Sequence, residues 1–593
     1  MSERKEKKKI VRELAEEAEI EEEEKESVDE NIIELFKDQD GNPYATIKIN
    51  KHHENWPIRS RAFENFITKQ IYEASDKPPT KEKVNSFKSI YSAKALFEGR
   101  TYEVYLRCAK IEEEIFIDIA DDEWRCIKIN KEGIEILDTS PIKFRRFRHM
   151  KPLEFDLNAN IKDIELLWKY VPVTEEDKII LRPHVALLFI PDIPYAIIIF
   201  YGPQGSGKSM SLKFIRVLVD PSSLKILSLA KDKTELVQQV SHHYLPFFDN
   251  VTRISKQYSD FFCRVVTGEG FSKRELYTDD EDIIYNIIRR LAFNGINIAG
   301  EEPDFLDRSV ITHLERIEKK NRKREKALLK EFEKDKQLIT GALLKIVQGS
   351  LEKFEDVEKE IKSLPRMADY AIWCETASQV IGEKPGVYLH KYLTKIESLN
   401  KDAIEANPIG WVILEFINDH QEWRGSPTHL LNELEKKAIE LKININQKLW
   451  PRAPQSLTRR INEIKTNLED EGIAVNTDER TREGRFITIK KNIDNTDLLS
   501  QNIQETQVLV SQGLKGNDSI CDRKSSNSLA PSSNTQELTV MTADDDNKNN
   551  AVIQAIPKIK MSKTRVDDNI DDSFQNKGHF QKINSREVQN EIS

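Results

Sequence analysis

Cysteine is scarce. The chain of 593 residues holds five, and none of the five falls in a C-x-x-C pair, which leaves neither a disulfide framework nor a zinc-ligand spacing. Glycine (21) and proline (22) are too few for a collagen-like or low-complexity chain. Long apolar runs are also missing. The most apolar stretch, Val185 to Phe200, is interrupted by Pro191, Asp192 and Pro194, so each half falls far short of the ~20 residues a membrane helix needs. The first residues are charged and lack the apolar core of a secretory signal. The expectation is a soluble cytoplasmic protein with no membrane partner.

An excess of positive charge is absent too. There are 91 Lys+Arg against 101 Asp+Glu, a net of −10, and as an average this argues mildly against nucleic acid. The average is uneven. Residues 1–30 hold 7 basic and 13 acidic residues and residues 495–593 hold 11 and 14, which leaves the segment between them at −1. The acidic leader 1–30 and the Asn/Ser/Asp-rich tail 494–593 are too polar to offset the entropy of ordering, and both are expected to be disordered.

Between those ends, residues 31–155 read as a mixed α+β accessory module. Helical spacing covers Arg61–Tyr72 and Thr80–Phe97, and short β-like runs follow from Tyr102 to Leu137. A basic run with interleaved aromatics, Lys143 to Lys151, suits either a single-strand contact or a core edge. Residues 156–400 read as one unit: 161–190 look helical, 194–315 alternate short apolar runs with helical patterns, the signature of an α/β domain on a parallel sheet, and more helix follows. A charged helix is expected from about Arg316 to Val347. Residues 405–493 form a separate unit of helices that ends in a hairpin.

The chemistry is written most plainly in Gly202-Pro203-Gln204-Gly205-Ser206-Gly207-Lys208-Ser209, which satisfies G-x-x-x-x-G-K-[ST] directly after a buried run, Tyr195–Phe200, and before a helical pattern. Glycines let such a loop wrap phosphate oxygens with backbone N–H groups, and the following helix adds its positive N-terminus. Lys208 is expected on the β- and γ-phosphates of ATP and Ser209 on Mg2+. The run Tyr244-Leu-Pro-Phe-Phe248 ends in Asp249, a second metal-site acid. Asn250 follows and can orient a water but cannot take its proton, so the general base stays unassigned; Glu269 serves only if its loop folds back. Leu291–Ile296 reads as another buried strand carrying Asn294, placed to position water. Arg308, in Asp304-Phe-Leu-Asp307-Arg308, suits an arginine finger inserted into a neighbouring subunit's site, which requires an oligomer.

In this order and spacing, the loop Gly202–Ser209, Phe248-Asp249-Asn250, Ser259-Asp260, Cys263-Arg264, Thr267-Gly268, Arg274-Glu-Leu-Tyr277-Thr278, Asn294-Gly295-Ile296 and Asp304 to Ser309 resemble the ATPase of phage- and plasmid-type primase–helicases. That group is a superfamily III-like branch of the AAA+ ATPases. Leu364-Pro-Arg366-Met-Ala-Asp-Tyr370 with Ala371-Ile-Trp373 resembles its lid, and the likeness spans roughly residues 100–490. It implies a ring, usually a hexamer, that passes single-stranded DNA through its centre. It also implies a pore hairpin at Phe271–Tyr285 with Lys273 and Arg274 as DNA contacts, and Arg366 as a lid sensor. A replication polymerase or primase is a candidate partner. The primer-synthesis domain of that group is not matched: Phe116-Ile-Asp118-Ile-Ala-Asp121 lacks the further acids and His, and reads as a turn after a strand.

The C-terminal unit, with Trp450-Pro451-Arg452 and Leu457-Thr-Arg-Arg460, fits a winged helix. Its third helix, Ser456–Glu471, sets Arg459, Arg460 and Lys465 opposite Leu457, Ile461, Ile464 and Leu468, and Arg480, Arg482 and Arg485 fall on the wing. A basic recognition helix with a basic wing would grip duplex DNA through phosphates. The resulting expectation is an α/β protein, a P-loop AAA+ ATPase with mixed N-terminal and winged-helix C-terminal domains. Its expected function is an ATP-dependent DNA helicase or translocase of a mobile element, virus or plasmid; an ATP-switched DNA-binding initiator is the alternative.

Overall fold

The computed structural model describes residues 22–491, apart from 270, 275–281, 286, 299–301, 448–449 and 482–483. The tail from 494, Arg482 and the side chains of Lys273 and Arg274 lie outside the described residues.

The described residues begin in a helix at 22–29, within the leader expected to be disordered, of which residues 1–21 lie outside the described residues. Val28 is fully buried, and Glu24 is buried against Lys83 in an ion pair. One apolar residue and one neutralised acid, a turn apart, face inward from a helix that composition alone marks as solvated. A sheet that sequence patterning did not resolve follows: Ile32–Lys37, Pro43–Ile49 and His52–Pro57 pair antiparallel, and Arg100–Thr101 adds at one edge in parallel. The helices Arg61–Ser75 and Lys81–Phe97 begin on Ser60 and Thr80, whose hydroxyls accept from Phe63 and Lys83 N–H groups. They cover this sheet in a core of its own, with Phe63, Ile67 and Ile71 facing Ala45 and Ile47.

The module expected at 31–155 therefore divides. Its second sheet, Cys108–Ile111, Glu114–Asp118, Cys126–Ile129 and Ile134–Leu137, is an antiparallel meander. Its residues Ile115, Ile117, Ile127 and Ile129 share one continuous core with the central α/β region. The basic run 143–151 is spent on this joint. Phe144 is buried, Arg146 forks onto the buried Asp118 carboxylate and stacks 4.0 Å above Trp124, and Lys143 pairs with Glu34. Asp118 and Asp121 are both committed to arginines, and among the described residues no group of His, Cys, Asp and Glu could hold a metal ion.

The central sheet has the order Phe247–Phe248, Ala292–Gly295, Ile197–Tyr201, Ser309–His313, all parallel. Alternation sends Ile198 and Phe200 into one core and Ile197 and Ile199 into the other. Ile197, Ile198, Ile199 and Phe200 are each at most 1% exposed, worth about 1.5–3 kcal/mol apiece. The helices Lys208–Val219 and Glu325–Glu360 pack on the first face; Lys233–His242 and Lys256–Thr267 pack on the second. The long helix begins at Glu325 rather than Arg316: residues 314–324 have no regular structure apart from one 3-10 turn, Lys319–Asn321.

Residues 408–491 build a separate core. It comprises the helices Pro408–His420, Pro427–Glu440, Pro454–Glu463 and Lys465–Asp470, and a sheet in which Glu422–Gly425 and Ile473–Thr481 flank Gly484–Lys491. The helix expected over 456–471 is broken at Ile464, and the break allows Ile461, Ile464 and Leu468 all to be buried. Among the described residues no helix is long and apolar enough to cross a membrane.

Candidate active site

Parallel strands bring their C-terminal ends to one edge of the sheet, and three neighbouring strands deliver the sequence-predicted residues there. The central strand ends at Tyr201 and turns into Gly202–Gly207. Gly202, Gly205 and Gly207 have φ of 140°, 78° and 87°, which a β-carbon would oppose. At Gly202 a β-carbon would also meet the Leu314 carbonyl oxygen at 2.3 Å. Pro203, Gln204 and Gly205 form the exposed tip, and Ser206 is buried beneath them. Gly207 opens the helix Lys208–Val219, whose first N–H groups lack intrahelical partners and point toward the loop.

Lys208 Nζ donates to the Gly202 and Pro203 carbonyls at 2.8 Å each and to Ser206 Oγ at 3.2 Å. Partial burial lowers its pKa, with the nearby Asp249 carboxylate opposing the shift. Ser209 Oγ donates to Asp249 Oδ1 at 2.7 Å, and Asn294 Nδ2 donates to the same oxygen at 2.8 Å. Asn294 is 1% exposed, and its Oδ1 accepts the Asn250 N–H at 2.9 Å. The residue expected to position water thus spends its amide fixing Asp249 and the turn after it. Asn250 takes a left-handed φ of 52°, a conformation asparagine tolerates, and its side chain is exposed. The hydroxyl of Ser209 and the Asp249 carboxylate are hard oxygen donors on adjacent elements. That pair suits Mg2+, which takes one or two protein oxygens and keeps water in its other positions.

Arg308 and Glu269 lie elsewhere. Ser309 pairs with Ile197 and His313 with Tyr201, and the Arg308 carbonyl accepts from Ile197 N–H at 2.8 Å. Arg308 therefore stands at the end of the sheet opposite the loop, roughly 17 Å from Tyr201 along the strands at about 3.3 Å per residue. Its guanidinium lies 3.3 Å from Asp304 and its side chain is 15% exposed. Arg366 bonds the same Asp304 and reaches Asp307 at 3.0 Å, so it joins this cluster. Desolvation opposes ionisation of Asp304, and contacts with Cys263, Arg308 and Arg366 outweigh it and hold its pKa below the usual carboxylate range. Asp470 of the C-terminal unit stands beside the cluster. Burial, with Asp307 adding, raises its pKa to about 6. Glu269 follows the helix Lys256–Thr267, whose Val266 carbonyl accepts from Tyr195 N–H at the far end of the sheet. That placement removes Glu269 as a base within its own chain. The hairpin strands Phe271–Arg274 and Asp282–Tyr285 pair antiparallel just beyond it.

In the C-terminal unit Arg459 and Arg485 are exposed and Arg460 and Lys465 half-buried, and all four are paired locally. Arg459 and Arg460 lie 3.8 and 2.8 Å from Glu463, Lys465 lies 3.8 Å from Glu469, and Arg485 lies 3.3 Å from Asp478. Arg480 is exposed on the hairpin. The basic face is more neutral than the sequence pattern implied, because i+3 and i+4 acids share its helix. Exposed pairs of this kind are worth roughly 0–1 kcal/mol and exchange readily for phosphate.

Two features escaped sequence reasoning. Arg322 sits against the loop tip: a methyl group on Gly205 would meet its guanidinium at 3.4 Å. The available signal was the basic run after Ser309–His313, read instead as a helix surface. Behind the loop helix, Arg107 Nε lies 3.0 Å from Asp220 Oδ1, and Arg216 lies 3.7 Å from the other oxygen. All three side chains are at most 1% exposed.

Comparison with known proteins places this geometry in context. Residues 172–402 match a family model described as an actinomycete integrative conjugative element replication protein, and residues 409–502 match one described as the C-terminal domain of RepA from such elements. No curated protein matches the chain. Among solved structures, the apo C-terminal region of NrS-1 is 12% identical with a TM-score of 0.34, covering 77% of this chain and 96% of that one. A JCV helicase with a bound thiazolopyridinyl-phenoxyphenyl acetamide is 13% identical with a TM-score of 0.23, covering 39% of this chain and 64% of that one.

Proposed function

We propose that the chain is an ATP-dependent DNA motor, a helicase or translocase that replicates a mobile element. It would work as a ring of P-loop ATPase subunits of the AAA+ kind, each with a winged-helix DNA-binding unit at residues 405–493. The observation that carries this reading is the convergence of Lys208, Ser209, Asp249 and Asn294 on one sheet edge beside a glycine loop and a helix N-terminus. The match of residues 172–402 and 409–502 to mobile-element replication proteins supports the biological setting.

In this reading the loop N–H groups and Lys208 hold the ATP phosphates, with Lys208 exchanging its bonds to the Gly202 and Pro203 carbonyls for phosphate oxygens. Ser209 and Asp249 would hold Mg2+, which neutralises charge between the β- and γ-phosphates when bound. Asn294 acts as a positioning residue for Asp249, and Asn250 is left to orient the attacking water. Arg308 is too far from the loop of its own chain to touch that nucleotide, so its role as a finger belongs to a neighbouring subunit. In that role it must exchange Asp304 for phosphate. Lys273, Arg274, Arg459, Arg460, Lys465, Arg480, Arg482 and Arg485 supply the proposed DNA contacts, single-stranded in the ring and duplex at the C-terminal unit.

Strand separation of a forked duplex is the test. ATP-driven displacement is expected; an ATP-switched initiator would bind the duplex without displacing a strand, and that result would replace the motor reading. A trans finger has its own signature. Arg308→Ala and Lys208→Ala proteins, each inactive alone, should regain part of the ATPase rate when mixed, because some interfaces then pair an intact loop with an intact finger. No regain at any ratio sinks the trans assignment.

A further inference from the structure

The segment after the strand Ser309–His313 runs across the glycine loop. Leu314 N–H bonds the Tyr201 carbonyl at 2.8 Å, and its own carbonyl lies where a β-carbon of Gly202 would stand. Ile317 N–H bonds the Gly205 carbonyl at 3.3 Å, and the Ile317 side chain lies 3.4 Å from a β-carbon placed on Gly207, with Pro172 on its other side. The strap is thus registered on the loop residue by residue. It ends at Arg322, whose Nε donates to the Ile317 carbonyl at 3.1 Å.

That single bond fixes the guanidinium beside Gly205 and leaves its two terminal nitrogens unspent. No carboxylate pairs with Arg322 among the described residues, although neighbours on the same strap do pair, Lys320 with Glu318 and Lys323 with Glu331. A planar cation anchored through Nε presents its remaining N–H groups as a fork, which matches two oxygens of a phosphate. The loop beside it already offers Lys208 and backbone N–H groups, so a second cation there is electrostatically unfavourable until an anion occupies the loop.

We propose that Arg322 is a phosphate ligand of the nucleotide held by its own chain, distinct from the remote Arg308. This rests on the nucleotide-binding reading of the loop and adds a residue to it. Because Gly202 admits no side chain against the Leu314 carbonyl and Gly205 carries none, the strap is the element placed to bring a side chain to the loop tip. Arg322 supplies in cis, beside Lys208, the charge that Arg308 cannot.

The test is the dissociation constant of MgATP and of magnesium tripolyphosphate for the full chain and its Arg322→Ala, Arg322→Lys and Lys208→Ala variants. Arg322 makes one hydrogen bond on an exposed surface, so its variants should melt with the native protein when nucleotide is absent. The expected result is binding of both ligands weakened at least about 10-fold in Arg322→Ala, with incomplete recovery in Arg322→Lys, which restores charge without the fork. Native affinity for both ligands in Arg322→Ala overturns the proposal, as does a loss confined to ATP, which would mark a base or sugar contact. If the unaltered chain binds neither ligand, the reading of the loop itself fails. If the unaltered chain binds and only Lys208→Ala loses affinity, the loop reading stands and Arg322 is excluded.

Discussion

Lys208→Ala lowers kcat/KM for ATP by at least about 100-fold, a loss of about 2.7 kcal/mol in transition-state stabilisation. The size follows from position. Lys208 Nζ is held by three loop oxygens at 2.8–3.2 Å, so the ammonium is already aimed at the centre of the loop. Once those carbonyl bonds are exchanged for phosphate oxygens on binding, charge developing on the transferred phosphoryl is met by a cation already in place. Arg308 cannot substitute, because it lies at the opposite end of the sheet. Arginine at 208 should not restore the rate, since its longer planar head replaces a compact ammonium in a loop built to tight glycine geometry. Folding should hardly change: the bonds lost are to loop carbonyls that water can reach. A steady-state phosphate-release assay beside a melting curve separates the two effects, and a Lys208→Ala protein with near-native turnover would contradict the role.

Asp220→Ala has the largest expected effect on stability, a loss of about 3–5 kcal/mol. Asp220 caps the C-terminal end of the loop helix, a position where a carboxylate opposes the helix dipole. It is retained there between Arg107 and Arg216, both fully buried, and Arg107 also donates to the backbone oxygens of Asp118 and Lys151. Removing the acid leaves two buried guanidiniums without a counter-charge, at the joint between the second antiparallel sheet and the loop helix. Burial resists ionisation of Asp220, and the two arginines outweigh it, so its folded pKa lies below the unfolded value. The corresponding stabilisation is present above the unfolded carboxylate value near 4 and is lost as pH falls through the folded one. Asp220→Asn, which keeps hydrogen bonds but no charge, should therefore lose stability at pH 7 and show a shallower acid limb than the native chain. Urea midpoints at pH 7 and at about pH 2, below the unfolded carboxylate value, measure both; an Asp220→Asn protein with the native acid limb would contradict the assignment.

The loop was legible in the sequence because its chemistry is local: eight consecutive residues carry the phosphate geometry, and a run of Ile and Phe before them marks a strand buried on both faces. Asp249 and Asn294 were legible because parallel strands end at one edge, so a polar residue closing an apolar run marks that edge. What the sequence could not show is which group each residue touches. Asn294 was expected to hold water and instead holds Asp249, a contact set by strand order rather than by spacing. Arg107 and Asp220 meet across 113 residues, with no local pattern to pair them. Arg308 carried the right neighbours in sequence, and only the strand register shows that it stands at the end of the sheet opposite the loop of its own chain. The first sheet, at 32–57, was missed because Asp, Asn and His interrupt its alternation, while residues 22–29 were hidden by a composition that one buried valine overrides.

The central claim is that this sheet edge hydrolyses ATP in response to DNA. The direct measurement is the steady-state ATPase rate of the full chain in Mg2+, with and without single-stranded DNA. The account predicts a basal rate that rises several-fold on addition of DNA and disappears in Lys208→Ala under both conditions. A rate unaffected by DNA and unchanged in Lys208→Ala would contradict it.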